Sequence, residues 1–374
     1  MNRLLAVAAA ILLLGAGAPR ALAQDFVLSI SFDGGGWFDR SFNEGTWAGI
    51  SEAVRELAVT TDFDILLYNG APETTTQGVR NLAAAGSNLH IAAGFSQEEA
   101  IAEVAAEYPW TSFLLIDGVA AGDNVRSVTF KDHEGSYLVG YLAGLLSQTG
   151  VVGFVGGMDV PLIRNFAQGY DLGVRAACPG CTVLSQNIGD TFEAWNDPQR
   201  AGEIAAAMHA EGADIIYAAA GDSGNGVIDF VNRTRCYVPQ GQLRSTPLTS
   251  ALAEVPRDGL FEAACPAGSQ PLFYIGVDSN QNYLGDVDGD PATLNHGLTS
   301  MLKRVDVVAA AAIHDVVQSA FTSGWQELGL AENAVGYALD EYNEALLSDE
   351  VIAELDQVRE RIISGELHVP PYEE

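Results

Sequence analysis

Lysine is almost missing from this chain: 374 residues contain two, Lys131 and Lys303, against sixteen arginines and forty-nine acidic residues. A formal charge of −31 excludes nucleic acid and anionic lipid as natural partners, because both would be repelled. Long apolar runs are also lacking. Leu4 to Leu14 is too short to cross a bilayer, and nothing later offers the ~20 unbroken apolar residues of a membrane helix. Cysteine is scarce, with four at positions 178, 181, 236 and 265. Six histidines are scattered without a metal-binding H-E-x-x-H, and no G-x-S-x-G nucleophile elbow occurs. In a chain so poor in lysine, each of the two becomes a candidate for a position that needs a compact, rotatable donor.

Arg3, the run Leu4 to Leu14 and the small residues through Ala21-Leu22-Ala23 have the layout of a secretory signal. Residues 1–23 are therefore expected to be removed. No cysteine follows the cleavage point, so a lipid anchor is not indicated. Export makes disulfides the default. Cys178-Pro-Gly-Cys181 has redox-motif spacing, but it follows a helical run and precedes an apolar strand rather than opening a helix. A structural staple is the expectation, with Cys236 and Cys265 closing a second loop. A disulfide exchanger is the rival.

What is abundant is alternation. Strand-like runs such as Phe26 to Phe32, Leu89 to Ala92 and Thr111 to Ile116 are separated by helical runs such as Phe42 to Leu57 and Ser96 to Tyr108. The rhythm restarts with Val151 to Val155, Pro161 to Ala177, Thr182 to Gln186, Pro198 to Glu211 and Asp214 to Ala218. It continues with Leu272 to Val277, Leu298 to Leu302, Val305 to Gln318 and a last helix from Asp349 to Ile363. Short strands alternating with helices of ten or more residues predict parallel βαβ units. Two such sets predict an α/β protein of two doubly wound lobes, with ligands gathering at the carboxyl ends of the strands.

The chemistry-bearing residues cluster at those strand exits: Asp33-Gly-Gly-Gly, Gly94-Phe95, Asp117-Gly118, Gly156-Gly157, Gly221-Asp222-Ser223-Gly224 and Asp278-Ser279-Asn280. Neither a phosphate loop nor G-x-G-x-x-G occurs there, and Asp222 and Asp278 would repel a phosphate. Carboxylates that accept from hydroxyls, an ammonium that donates and aromatic faces at Phe42 and Trp195 suit a neutral, hydroxyl-rich ligand. Asp286-Val-Asp-Gly-Asp290 resembles the start of a calcium loop, but Pro291 stands where the turn needs glycine. No metal or cofactor is expected.

Five ordered motifs resemble the basic membrane protein family, the purine nucleoside receptor-like binding proteins of ABC importers. They are Asp33-Gly-Gly-Gly-Trp-Phe-Asp-Arg-Ser-Phe42-Asn43-Glu-Gly-Thr-Trp47, Phe130-Lys131-Asp-His-Glu134-Gly-Ser-Tyr-Leu-Val-Gly140, Gly153-Phe-Val-Gly-Gly-Met158-Asp-Val-Pro-Leu-Ile163, Gly276-Val-Asp278-Ser-Asn-Gln281 and Thr299-Ser-Met-Leu-Lys303-Arg-Val-Asp306.

The resemblance implies a type I periplasmic-binding-protein fold. Residues 24–129 with 304–332 would form the N-terminal lobe, and 130–303 with 333–374 the C-terminal lobe. It implies a periplasmic, non-enzymatic monomer that binds a nucleoside and docks on a permease. Asp33 and Asn43 would hydrogen-bond the ligand, Phe42 would stack on its base, and Asp278 and Lys303 would hold the sugar hydroxyls. Trp195 would reach the cleft from the second lobe. Asp117 and Lys131 are placed there by strand exit and motif, with bracing of the hinge the other role for Lys131. Truncating Asp278 or Lys303 is expected to weaken binding with little change in fold.

Three departures from the family pattern stand out: the long stretch Arg233 to Pro271, the insert Gly285 to His296, and the acid at Asp222. The rival ligands are a free nucleobase, a flavin-like compound or a sugar. The rival activity is nucleoside hydrolysis.

Overall fold

The structure is a computed structural model that describes residues 24–34, 36–70 and 72–373. The proposed signal segment lies outside the described residues. In chain order the first elements are β1 (Gln24–Phe32), α1 (Phe42–Leu57), β2 (Thr61–Tyr68), α2 (Thr75–Ala84), β3 (Leu89–Ala93), α3 (Glu98–Glu107), β4 (Ser112–Ile116) and β5 (Val125–Phe130). There follow α4 (Asp132–Leu146), β6 (Val151–Met158), α5 (Pro161–Ala177), β7 (Thr182–Gly189), α6 (Pro198–Ala210), β8 (Ile215–Ala219) and α7 (Gly224–Thr234). The long insert contributes β9 (Cys236–Tyr237), α8 (Pro247–Glu254), α9 (Gly259–Ala264) and β10 (Gln270–Pro271). The chain ends with β11 (Phe273–Asp278), β12 (Gly297–Lys303), α10 (Val305–Val317), β13 (Gly324–Leu328), β14 (Val335–Tyr337) and α11 (Asp349–Ile363).

Two six-stranded sheets result. The first runs β13-β5-β4-β3-β1-β2 and the second β14-β12-β11-β8-β6-β7. All pairings within them are parallel except β12 with β14. The central strands are apolar runs buried along their length, Leu89–Ala93 on β3 and Ile215–Ala219 on β8, as strands covered by helices on both faces must be. The α/β class and the two parallel-dominated layers are as the alternation predicts.

Each sheet reverses its strand order once, between β1 and β3 in the first and between β6 and β8 in the second. These switch points are where a doubly wound sheet leaves a crevice beyond its strand ends. Two tight helix contacts fix the frame. A Cβ on Gly49 would lie 2.0 Å from the Asp306 carbonyl oxygen, so α1 and α10 pack backbone to backbone. Gly169 is pressed the same way against His133, which joins α5 to α4.

The chain passes between the sheets three times, at Lys131, at Arg304 and over residues 329–334. The three passages lie side by side: the Lys131 amide donates to the Leu328 carbonyl and the Arg304 amide to that of Ala334, each at 2.8 Å.

Both expected disulfides are present. Cys178–Cys181 staples the turn between α5 and β7, and Cys236–Cys265 closes the insert. The insert covers the amino-terminal ends of the second sheet, where Arg244 Nη1 donates to the Gly144 and Ser147 carbonyls at the end of α4 (3.1 and 2.6 Å). That is the end opposite the strand exits. No described helix is long and apolar enough to cross a membrane.

Candidate ligand-binding cleft

The two sets of strand exits face each other across a shared cavity, placed where open α/β sheets bind their ligands. Its polar lining comes from both sheets: Asp33 after β1, Asn43 on α1, Asp117 after β4, Asp278 at the end of β11 and Lys303 at the end of β12. Phe42, Phe95, Phe166 and Trp195 supply the aromatic walls.

Local structure sets the aim of each group. Asp39, buried, accepts from the backbone amides of Ser41, Asn43 and Glu44 at 2.9–3.1 Å. It satisfies donors that the first turn of α1 would otherwise leave open, and so holds Phe42 and Asn43 at the cavity. Asn43 Nδ2 donates to the Gly36 carbonyl (2.9 Å), while its Oδ1 is buried without a partner. Asp117 and Asp278 each take a left-handed backbone, φ 64° and 63°, a conformation aspartate tolerates better than most residues. Each leaves its Oδ1 buried and without a hydrogen bond.

Lys303 is 2% exposed. Its Nζ lies 2.5 Å from Asp117 Oδ2 and 3.2 Å from Asp132 Oδ1, among the rings of Phe42, Phe130 and Phe166 at 5.1–5.6 Å. Asp117 belongs to the first sheet; Asp132 and Lys303 flank crossings of the chain. The ammonium therefore ties the cleft floor to the hinge. The sequence reading joins Lys303 with Asp278 on the sugar hydroxyls; in the structure the direct ionic partners of Lys303 are Asp117 and Asp132.

Three carboxylates, Asp117, Asp132 and Asp278, act on this cation, and Asp33 and Asp39 line the same cavity. Burial, and then the Asp117 and Asp39 charges, push Asp33 up to about 8. Burial lifts Asp278 to about 6 even though Lys303 opposes it. Asp117 and Asp132 are likewise raised by burial, against the pull of Lys303. Burial would lower Lys303, but the acids around it hold it above its ordinary value.

A carboxyl whose folded pKa is raised gives stability that is complete below its unfolded pKa and is lost as pH rises through the folded one. For Asp33 that window runs from about 4 to about 8. The melting temperature of the ligand-free protein should fall as pH rises from 5 to 8, and Asp33→Asn should flatten that slope. Parallel slopes for the two proteins would contradict this.

The lobes are closed on each other. Ser41 Oγ donates to Asp278 Oδ2 (2.8 Å), Ser279 Oγ to the Ser41 carbonyl (2.8 Å) and Gln281 Nε2 to the Arg40 carbonyl (2.9 Å). Opening would hand these bonds to water, so each contributes ~0.5–1.5 kcal/mol net. Ser41→Ala should therefore weaken ligand binding severalfold in calorimetry and leave the unfolding midpoint nearly unchanged. A fully retained affinity would count against the latch.

Two candidates from the sequence lie outside the cavity lining. Lys131 sits at the first crossing with its Nζ 3.5 Å from Glu134 Oε1. Asp222 is half-buried and accepts from Asn225 Nδ2 at 3.0 Å, while its neighbour Gly221 lines the cavity. Conversely, the sequence reading gives Asp39, Ser41, Asp132 and Phe166 no role in the site. Asp39 and Asp132 carried a usable signal, an acid at or before the first turn of a helix. Ser41 and Phe166 carried none.

A protein-family model described as ABC transporter substrate-binding protein PnrA-like matches residues 26–242. The chain is 30% identical over 357 residues to a CD4+ T-cell-stimulating antigen of Listeria monocytogenes, covering 93% of this chain and 89% of that one. It is 28% identical over 359 residues to an ABC transporter nucleoside-binding protein of Lactococcus lactis, with 95% and 92% covered. Among solved structures, an ABC transporter solute-binding protein from Aeropyrum pernix superposes with a TM-score of 0.74 at 24% identity, covering 93% of this chain and 94% of the other.

Proposed function

Since the chain belongs to the PnrA-like family of ABC transporter substrate-binding proteins, we propose that its cleft takes a nucleoside, a purine nucleoside in preference to a pyrimidine one. Membership makes it an extracytoplasmic solute-binding protein with a small-molecule ligand and a transporter permease as partner. The finer reading is a periplasmic monomer, freed of residues 1–23 and without a lipid anchor, that releases its ligand chemically unchanged.

The observation that carries the nucleoside reading is the composition of the cleft. Acceptors outnumber donors, the one ammonium is already shared between two carboxylates, and the walls are aromatic. In this reading the Oδ1 atoms of Asp278 and Asp117 accept from ribose hydroxyls. The Lys303 ammonium has three donors and spends two on Asp117 and Asp132, which leaves one for a ribose oxygen. Asn43 and Asp33 meet the polar edge of the base, and Phe42 and Trp195 its faces. Lys131 braces the crossing rather than touching ligand, and Asp222 shapes the rim through Asn225.

The same acid excess excludes a phosphate group, so a nucleoside should be taken and its monophosphate refused. Ligand would bridge the lobes and shift the open–closed equilibrium to the closed form that the permease recognises. A thermal-shift panel of nucleosides, nucleotides, free bases, flavins and sugars tests this, because a ligand of the native state raises apparent stability by mass action. Purine nucleosides should give the largest rise and nucleotides none. A rise with sugars or flavins alone would transfer the site to a rival ligand.

A further inference from the structure

Three rings meet where the lobes face each other. Phe95 follows β3 in the first sheet, and Phe192 and Trp195 occupy the short turn after β7 in the second. Phe95 stacks on Phe192 with centroids 6.2 Å apart and planes 18° apart, and meets Trp195 edge-on at 6.5 Å. All three are half-buried. Neither Phe95 nor Phe192 packs into a hydrophobic cluster of its own lobe. Phe95 and Trp195 line the cavity, and Phe192 sits behind them against Gly34.

The second lobe's half of this contact is held rigidly. Ser223, fully buried, donates to the Ala194 carbonyl (2.8 Å) and accepts from the Asp197 amide (2.7 Å), which pins the turn bearing both rings. The six-membered ring of Trp195 lies over Gly157, where a Cβ would come within 2.4 Å of it. A side chain at Gly157 would evict the indole.

We propose that Phe95 is the first lobe's half of an aromatic clasp with Phe192 and Trp195, closing the cleft mouth over the bound ligand and setting how fast that ligand leaves. The inference rests on the nucleoside reading only for the probe used to measure it. A contact between lobes exists only after closure, so its energy appears in the release rate, while association to the open form is untouched. Offset-stacked and edge-to-face pairs of this kind contribute enough to move a rate by several- to tenfold each.

Stopped-flow kinetics with inosine and guanosine as probes should show Phe95→Ala raising the dissociation rate about tenfold, with the association rate changed less than about twofold. Phe95→Ala combined with Phe192→Ala should add little beyond the single change, because both remove one shared contact. An unchanged dissociation rate, or an equal loss in association, would overturn the clasp.

A second measurement needs no ligand. All four native cysteines are in disulfides, so in a Phe95→Cys, Phe192→Cys protein a short bifunctional maleimide can join only the two new thiols. Rapid intramolecular bridging supports the clasp even if neither nucleoside binds, in which case only the ligand assignment fails. Absence of bridging, in the free protein and with either nucleoside present, contradicts the clasp.

Discussion

Replacing Lys303 with methionine should both unfold the protein more readily and abolish ligand binding. The side chain is 2% exposed and its ammonium is the direct ionic partner of Asp117 and Asp132, both buried. Removing one member of a buried ionic cluster leaves uncompensated charge in a low-dielectric site and costs about 3–5 kcal/mol. Methionine keeps the packing against Phe42, Phe130 and Phe166, so the loss reports charge rather than a cavity.

The orphaned carboxylates can be relieved by protons. The deficit in urea-unfolding free energy should accordingly be largest at pH 8 and shrink toward pH 5. A uniform deficit across that range would show that packing, not charge, was lost. The sequence reading anticipates little change in fold on truncating this lysine; burial of the ion cluster makes the structural cost comparable to the functional one.

Asp278 is the opposite case, and its removal should leave the fold intact while lowering nucleoside affinity about a hundredfold. The residue closes β11 at φ 63°. Alanine there would add backbone strain to the loss of the carboxylate, whereas glycine accepts that conformation freely. Asp278→Gly is therefore the cleaner truncation. It removes the Oδ1 left without a partner and the Oδ2 that Ser41 holds from the other lobe. It also relieves a carboxyl whose pKa burial has lifted to about 6, so the unfolding midpoint at pH 8 should hold steady or rise. Calorimetry for affinity and urea unfolding for stability separate the two effects. Retained affinity would remove Asp278 from the site.

The strand exits were legible because glycine and aspartate at those positions have a local reason to be there, and six such loops follow six apolar runs. The framework was legible for the same reason: α1, α5 and α11 begin and end where their apolar spacing and flanking residues say. Strands β5, β13 and β14 were not. Val125–Phe130 carries Arg126 in the middle of a strand, buried only because it pairs with Asp315 at 2.7 Å and donates to the Thr322 carbonyl. Gly324–Leu328 is an edge strand that exposes Trp325 and shows no apolar alternation.

Within the site, long-range partnerships were invisible. Ser41 finds Asp278 across 237 positions, and Lys303 finds Asp117 across 186. No local spacing distinguishes these residues from other serines and lysines. Lys131 and Lys303, equally rare in the sequence, separate only in three dimensions, one half-exposed beside Glu134 at a crossing and the other buried in the cleft floor.

The central claim is that the interlobe cleft recognises the ribose of a purine nucleoside through buried acceptors. Calorimetric titration of the mature protein with guanosine or inosine and with the matching 2′,3′-dideoxy compound tests it most directly. The account predicts one saturable site per chain and an affinity for the dideoxy compound at least ~100-fold weaker, because its absence of hydroxyls leaves buried acceptors unpaired. Equal affinity for both compounds, or no binding of any nucleoside, would contradict it.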